Sequence, residues 1–257
     1  MATYLDTILE RHRATARLDD RPLDELVDEA RAMPPTRGFR AALRGRQQLG
    51  VIAEIKRRSP SKGDLNVGLE PSEWAATYER GGATCLSVLT DEEFFGGSVA
   101  DLTAARAACS LPVLRKDFTV SAHDVADARL MGADCVLLIA AALDPAELAD
   151  FHALAIDIGL DVLVEIHDEA ELEVAVDVGA TLVGVNQRDL VTFQVDHERA
   201  QRMARLIPDT AVRVAESGVR GGDDARTLAA AGYDAVLVGE TLVTSGDPVA
   251  AIADLIG

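Results

Sequence analysis

From about residue 51 onward, short apolar runs alternate with amphipathic stretches, eight times over, at a spacing of roughly 20 to 30 residues. The runs are VIAEIK (51–56), CLSVLT (85–90), PVLRKDF (112–118), CVLLIA (135–140), DVLVEI (161–166), LVGVNQR (182–188), VRVAES (212–217) and AVLVGE (235–240). Between them lie stretches of helical period such as PSEWAATYERGG, HDVADARLMGA and DDARTLAAAG. Several close on a glycine (Gly82, Gly132, Gly179, Gly232) before the next run begins, as helix C-caps do. Strands alternating with helices pair in parallel through right-handed crossovers. Eight such units close most economically into an α/β architecture, the (β/α)8 TIM barrel. A doubly wound open sheet is the rival, but no G-x-G-x-x-G follows the first run. Apolar residues make up 48% of the chain and aromatics only 4%, so the core is aliphatic, as buried parallel strands require.

Residues 1–47 stand outside the rhythm. TYLDTILERHRATARL carries apolar residues near helical spacing, and PLDELVDEARAM reads as a second helix after Pro22. The expectation is one barrel domain over 1–257, with 48–257 forming the barrel and 1–47 an extra N-terminal helical segment. That segment either braces the barrel or covers one mouth, and the sequence leaves both open.

In such a barrel the C-terminal strand ends carry the chemistry, and inward positions recur every second residue. Those ends bring together Glu54 and Lys56, Thr90, Lys116 and Asp117, Leu137, Glu165, Asn186 and Arg188, Glu216 and Ser217, and Gly239. Charges inside a barrel are costly unless they pair or act, and their recurrence at one end marks an acid–base site. Lysine usage sharpens this. Only Lys56, Lys62 and Lys116 are lysines among 25 basic residues, and lysine, unlike arginine, can give or take a proton. ESG (216–218) and GET (239–241), after the seventh and eighth runs, have the position and glycines of phosphate-binding loops. Glu240 is an awkward neighbour for a phosphate, so its amide is expected to face the ligand and its carboxylate to point away.

A formal charge of −18 argues against nucleic acid and anionic membrane surfaces as partners, and requires a local basic site if the ligand is anionic. Cys85, Cys109 and Cys135 lack metal-ligand spacing and read as small buried hydrophobes in a reducing compartment. The N-terminus has no apolar signal core, and the longest apolar run, Cys135 to Leu143, is too short to span a bilayer. A cytoplasmic monomer is the expectation.

VIAEIKRRSPSKG (51–63) resembles the signature of the indole-3-glycerol-phosphate synthase family of the tryptophan pathway. The resemblance continues in order through LTDEEFFGGS (89–98), PVLRKDF, LLIAA (137–141), LVEIH (163–167), GVNQRDL (184–190), AESGV (215–219) and LVGETL (237–242), essentially the whole chain. It implies ring closure, decarboxylation and dehydration of 1-(2-carboxyphenylamino)-1-deoxyribulose 5-phosphate, a phosphorylated small molecule, to indole-3-glycerol phosphate, CO2 and water. No metal or organic cofactor is implied. By resemblance Lys116 is the acid at the C2 carbonyl, Glu54 and Lys56 serve the dehydration, and Glu165 is a further acid–base or electrostatic partner. Asn186 and Glu216 would position the sugar hydroxyls and reacting centre. Arg188 and Ser59 would hold the anthranilate carboxylate, while Ser217, Gly218, Gly239 and Glu240 bind phosphate. Phe95, Phe118, Leu137 and Leu190 would line a slot for the ring, with Phe94 competing with Phe95 for its place. Lys62 resembles a mobile-loop lysine of the PSKG segment that either covers the substrate or only orders the loop. His167 reads as an exposed loop histidine. Arg58 adds a charge beside the loop where many members carry a small residue. The chemical rivals are a Schiff-base aldolase built on Lys116 and a phosphate-sugar-binding barrel without activity.

Overall fold

A computed structural model describes residues 3–189 and 191–257. Its eight long runs form strands β1 (Gly50–Ile55), β2 (Cys85–Leu89), β3 (Val113–Lys116), β4 (Cys135–Ile139), β5 (Asp161–Ile166), β6 (Leu182–Asn186), β7 (Val212–Glu216) and β8 (Ala235–Val238). Each pairs in parallel with its sequence neighbours, and β1 closes on β8 through Gly50 opposite Ala235, giving a closed barrel. The strands stop short of the sequence expectation at the polar end. Lys56, Asp117, Gln187 and Arg188 all lie just past the last paired residue, where the ladder gives way to the mouth.

Period-two alternation sorts the core into two layers. Val51, Ala53 and Ile55 face outward against helices. Ile52, Leu114, Leu137, Leu163, Val214 and Leu237 face the lumen together with Cys85 and Cys135. Burial pushes both thiols up, which suits inert packing groups; Cys109 is only half-buried. The lumen packing stops below the C-terminal ends, where the inward positions turn polar.

The barrel helices are α4 (Pro71–Arg80), α5 (Val99–Ala108), α6 (Ala122–Leu130), α7 (Pro145–Asp157), α8 (Glu169–Asp177), α9 (His197–Ala204), α10 (Gly222–Ala231), the short α11 (Glu240–Val243) and α12 (Pro248–Ile256). Ser98, Ser121, Asp144, Asp168, Asp196 and Asp247 accept hydrogen bonds from first-turn amides of their helices, which fixes where strand-to-helix loops end. The four glycines expected at helix ends all have positive φ. No described helix is long and apolar enough to cross a membrane.

The N-terminal segment clasps the barrel from mouth to base. Helix α1 (Tyr4–Ala16) lies across the C-terminal mouth, and α2 (Leu23–Ala32) packs along α6. Helix α3 (Phe39–Leu43) seals the base, with Phe39 and Leu43 fully buried beneath the lumen. Buried Asp134 and the Asp161 carboxylate, at the N-terminal ends of β4 and β5, accept from the amides of Arg37 (2.7 Å) and Arg40 (2.8 Å) and hold this segment in place. Bracing and covering are therefore both present, on different helices.

Candidate active site

A cavity of about 420 Å³ opens at the C-terminal mouth. It is lined by Glu54, Lys56, Ser59, Phe95, Lys116, Phe118, Leu137, Glu165, Asn186, Arg188, Glu216, Ser217, Gly218, Gly239 and Glu240. Every residue assigned a role at the site is thus brought to one place except Leu190, which lies outside the described residues; Thr90 lies off the cavity, buried, with its hydroxyl donating to Asp117. All three lysines of the chain are among the lining groups. Phe95 rather than Phe94 faces the cavity; Phe94 instead packs edge-on against Tyr4, with ring centroids 5.9 Å apart.

The centre is a buried charge cluster. Lys116, from the end of β3, donates to Glu165 on β5 (2.7 Å) and to Glu216 on β7 (3.1 Å). Burial alone would lower the lysine's pKa, but Glu165, Glu216 and Glu54 outweigh it and hold the ammonium firmly protonated. Burial likewise works to raise Glu165, yet Lys116 and His167 overcome it, so this carboxylate stays ionised below its usual range. Glu216 resolves the other way. Burial and the neighbouring Glu165 charge outweigh Lys116 and raise it to about 7. Its Oε1 is buried without a hydrogen-bond partner among the described residues. Two adjacent carboxyls shifted in opposite directions are a means of dividing acid from base work.

A second ion pair, Lys56 with Glu54, stands beside the first cluster on β1. Gly239 at the end of β8 makes room for it, because a Cβ there would collide with the Glu54 carboxylate and approach Lys56 Nζ to 3.1 Å. Gly184 on β6 does the same for the Glu216 carboxylate. At both positions a side chain would collide with a carboxylate carried by a neighbouring strand.

Asn186 donates to Glu165 Oε1 (2.9 Å), and its own Oδ1 accepts from the Arg188 amide (3.0 Å). The Arg188 guanidinium donates to the Phe193 carbonyl (3.0 Å) and reaches toward Glu240 (4.0 Å). Glu240 departs from expectation. Its carboxylate lies 3.5 Å from Lys62 and 4.0 Å from Arg188, both lining the mouth, rather than pointing away. Phe95 and Phe118 stand 6.1 Å apart as one apolar wall. Ser217, with φ +65, and Gly218 form the turn after β7, held by Gln187 Nε2 donating to the Ser217 carbonyl (2.7 Å).

Several contributors escaped the sequence reading or were placed differently by it. Tyr4, Leu5 and Ile8 of α1 line the cavity, as do Phe193, Val195 and His197 beyond β6. His12 reaches from α1 to Asp91 (3.0 Å), which in turn accepts from the amides of Phe94 and Phe95. Arg58 donates to the carbonyls of Glu92 and Glu93, tying the loop after β1 to the loop after β2. His167 is not exposed. Its side chain is 11% accessible and lies between Glu165 and Glu171. The every-second-residue spacing from Glu165, the same that pairs Glu54 with Lys56, was the signal that could have found this orientation.

A closed parallel barrel with a protonated lysine among carboxylates at its C-terminal mouth is a barrel enzyme for acid–base chemistry on an anionic small molecule. The comparisons with known proteins name the kind. The family model described as "Indole-3-glycerol phosphate synthase" matches residues 5–255. Indole-3-glycerol phosphate synthase 2 of Streptomyces coelicolor is 52% identical over 91% of this chain and 90% of its own length. The indole-3-glycerol phosphate synthase of Mycolicibacterium smegmatis is 50% identical over 99% and 94%, and that of Streptomyces griseus 51% over 99% and 95%. Among solved structures, thiamine phosphate pyrophosphorylase from Pyrococcus furiosus aligns with a TM-score of 0.60 at 17% identity, over 80% of this chain and 93% of its own, a likeness of fold alone. The chain belongs to the indole-3-glycerol phosphate synthase family.

Proposed function

We propose that this protein is a carboxy-lyase of tryptophan biosynthesis that converts 1-(2-carboxyphenylamino)-1-deoxyribulose 5-phosphate to indole-3-glycerol phosphate, CO2 and water. The observation that carries the assignment of roles is the Lys116 ammonium held between Glu165 and Glu216 at the floor of the cavity.

Ring closure needs the aromatic carbon bearing the carboxylate to attack the C2 carbonyl, and negative charge grows on that oxygen. A fixed ammonium stabilises the charge and delivers the proton. Lys116 is such a group, and two carboxylates keep it from drifting. The apolar wall of Phe95, Phe118 and Leu137 would seat the ring, with Arg188 and Ser59 toward its carboxylate. Loss of CO2 follows from the cyclised intermediate. Dehydration then needs a base for the ring proton and an acid for the departing hydroxyl. The Glu54–Lys56 pair supplies one of each within hydrogen-bond reach. The turns at Ser217–Gly218 and Gly239–Glu240 are assigned to the phosphate, with Lys62 above them. Asn186 and Glu216 are assigned to positioning the sugar hydroxyls and reacting centre. The substrate is taken up as a free phosphorylated small molecule by a cytoplasmic monomer.

A Schiff-base aldolase needs a neutral amine as nucleophile, and the carboxylates around Lys116 hold it charged. The test follows indole absorbance on mixing purified protein with the substrate, with Lys116→Arg beside it. Product from wild type and a loss of at least about a hundredfold in the variant are expected. A folded wild type that binds the substrate without forming indole leaves a binding barrel instead.

A further inference from the structure

The histidine behind Glu165 has no part in the roles assigned above, yet its ring is tightly held beside the site. Glu171 Oε2, in the first turn of α8, accepts both from the His167 amide (2.7 Å) and at ring Nδ1 (3.1 Å). This double grip leaves the ring little freedom, and it aims Nε2 at Glu165 Oε1, 3.7 Å away. That Nε2 is buried and has no hydrogen-bond partner among the described residues. The Glu165 oxygens are otherwise taken by Asn186 at Oε1 and Lys116 at Oε2. A carboxylate–histidine–carboxylate line therefore runs from the partly exposed Glu171 to the floor of the cavity.

We propose that His167, clamped by Glu171, is a positioning residue that holds Glu165 ionised and fixed as the partner of Lys116. The inference rests on the reading that Glu165 and Lys116 take part in the reaction. The charged groups facing the ring are Glu165 on β5, Glu171 on α8 and Arg199 on α9. Burial pushes the imidazole toward its neutral form, Glu171 and Glu165 pull it back further, and Arg199 opposes them; the balance lies above the ordinary histidine value. An imidazolium at Nε2 and the Lys116 ammonium then face opposite oxygens of one carboxylate. Losing the imidazolium makes Glu165 easier to protonate, which slackens its hold on Lys116.

His167→Gln keeps a donor of similar reach and removes the charge. Expected are a fall of about tenfold in kcat, a KM within about twofold, and an acid limb of the kcat/KM profile displaced upward by about one pH unit. Glu171→Gln is expected to move the same limb in the same direction by less. A folded His167→Gln protein with an unmoved limb overturns the proposal. A readout independent of turnover is the NMR titration of His167 in wild type and in Glu165→Gln. Its pKa should fall by about one unit when the facing charge is removed, and an unchanged value overturns the proposal even if the His167→Gln variant fails to fold. Should wild type lack the reaction altogether, the function assignment fails while this titration still decides whether the ring and Glu165 are coupled.

Discussion

Lys116 touches Glu165 and Glu216 alike, but their carboxyls behave differently because Glu165 gains Asn186 and His167 while Glu216 Oε1 gains nothing. That asymmetry has a consequence for stability. Glu216 is raised in the folded protein, to about 7, against an unfolded value of about 4.3. A group raised on folding contributes its full stability below the unfolded value and loses it as pH climbs through the folded one. The thermal midpoint of wild type should therefore decline relative to that of Glu216→Gln between about pH 4.5 and pH 7. Melting both proteins across that window checks this, and parallel curves would remove Glu216 from the account. Glu165, depressed on folding, contributes with the opposite sign and only at more acid pH, so the two effects separate. The inward alternation of Glu54, Lys116, Glu165 and Glu216 was legible in the sequence because a strand's period is two and charges at its inner end are exceptional. The direction of the Glu240 carboxylate was not, because it depends on Lys62 and Arg188, which are distant in sequence and come from other loops.

Helix α1 is the element that turns an open mouth into a cavity. It is amphipathic, and only Ile8 of its residues is deeply buried, with Tyr4 and Leu5 beside it at the cavity rim. So small an apolar contact does not hold a 13-residue helix by itself. Polar ties do the rest. Arg13 makes a two-pronged bridge to Glu147 (2.7 and 2.8 Å) and donates to the Ala142 carbonyl (3.1 Å), while His12 binds Asp91 and Tyr4 packs on Phe94 and Phe193. Arg13→Ala removes about 1 kcal/mol of that attachment, its partner being only partly screened from water. Expected is a KM raised by up to about fivefold, since each 1.4 kcal/mol of lost closure is tenfold in affinity. The melting of the barrel should hardly change. Steady-state kinetics checks this; an unchanged KM would mean that α1 covers the mouth without contributing to binding. The two N-terminal helices α1 and α2 were legible from their periodicity, but their docking was not. A helix's own pattern shows that it has an apolar face and is silent about which surface receives it, and Arg13 and Glu147 lie 134 positions apart. The short α3, which the sequence reading did not single out, buries Phe39 and Leu43 in the base of the lumen.

The whole molecule works against its own ligand at long range. It carries a formal charge of −18, and the proposed substrate adds a phosphate and a carboxylate of the same sign. The lysines of the cavity do not cancel this field, because each is already matched nearby: Lys56 by Glu54, Lys116 by Glu165 and Glu216, and Lys62 by Glu240. A pair of matched charges fades quickly with distance, whereas a net charge does not. An approaching anion therefore meets repulsion first and attraction only inside the mouth, where backbone amides and Arg188 take over. Salt acts on the first part most strongly, since the Debye length falls from about 30 Å to about 10 Å between about 0.01 and 0.1 M ionic strength. The expected outcome is a kcat/KM that rises about twofold over that range and declines at higher salt, once the short contacts to phosphate are screened as well. Enzymes steered by a basic surface show a fall from the start. A monotonic fall here, measured with kcat constant, would mean that the site's own field reaches past the mouth and governs capture despite the charge of the rest of the molecule.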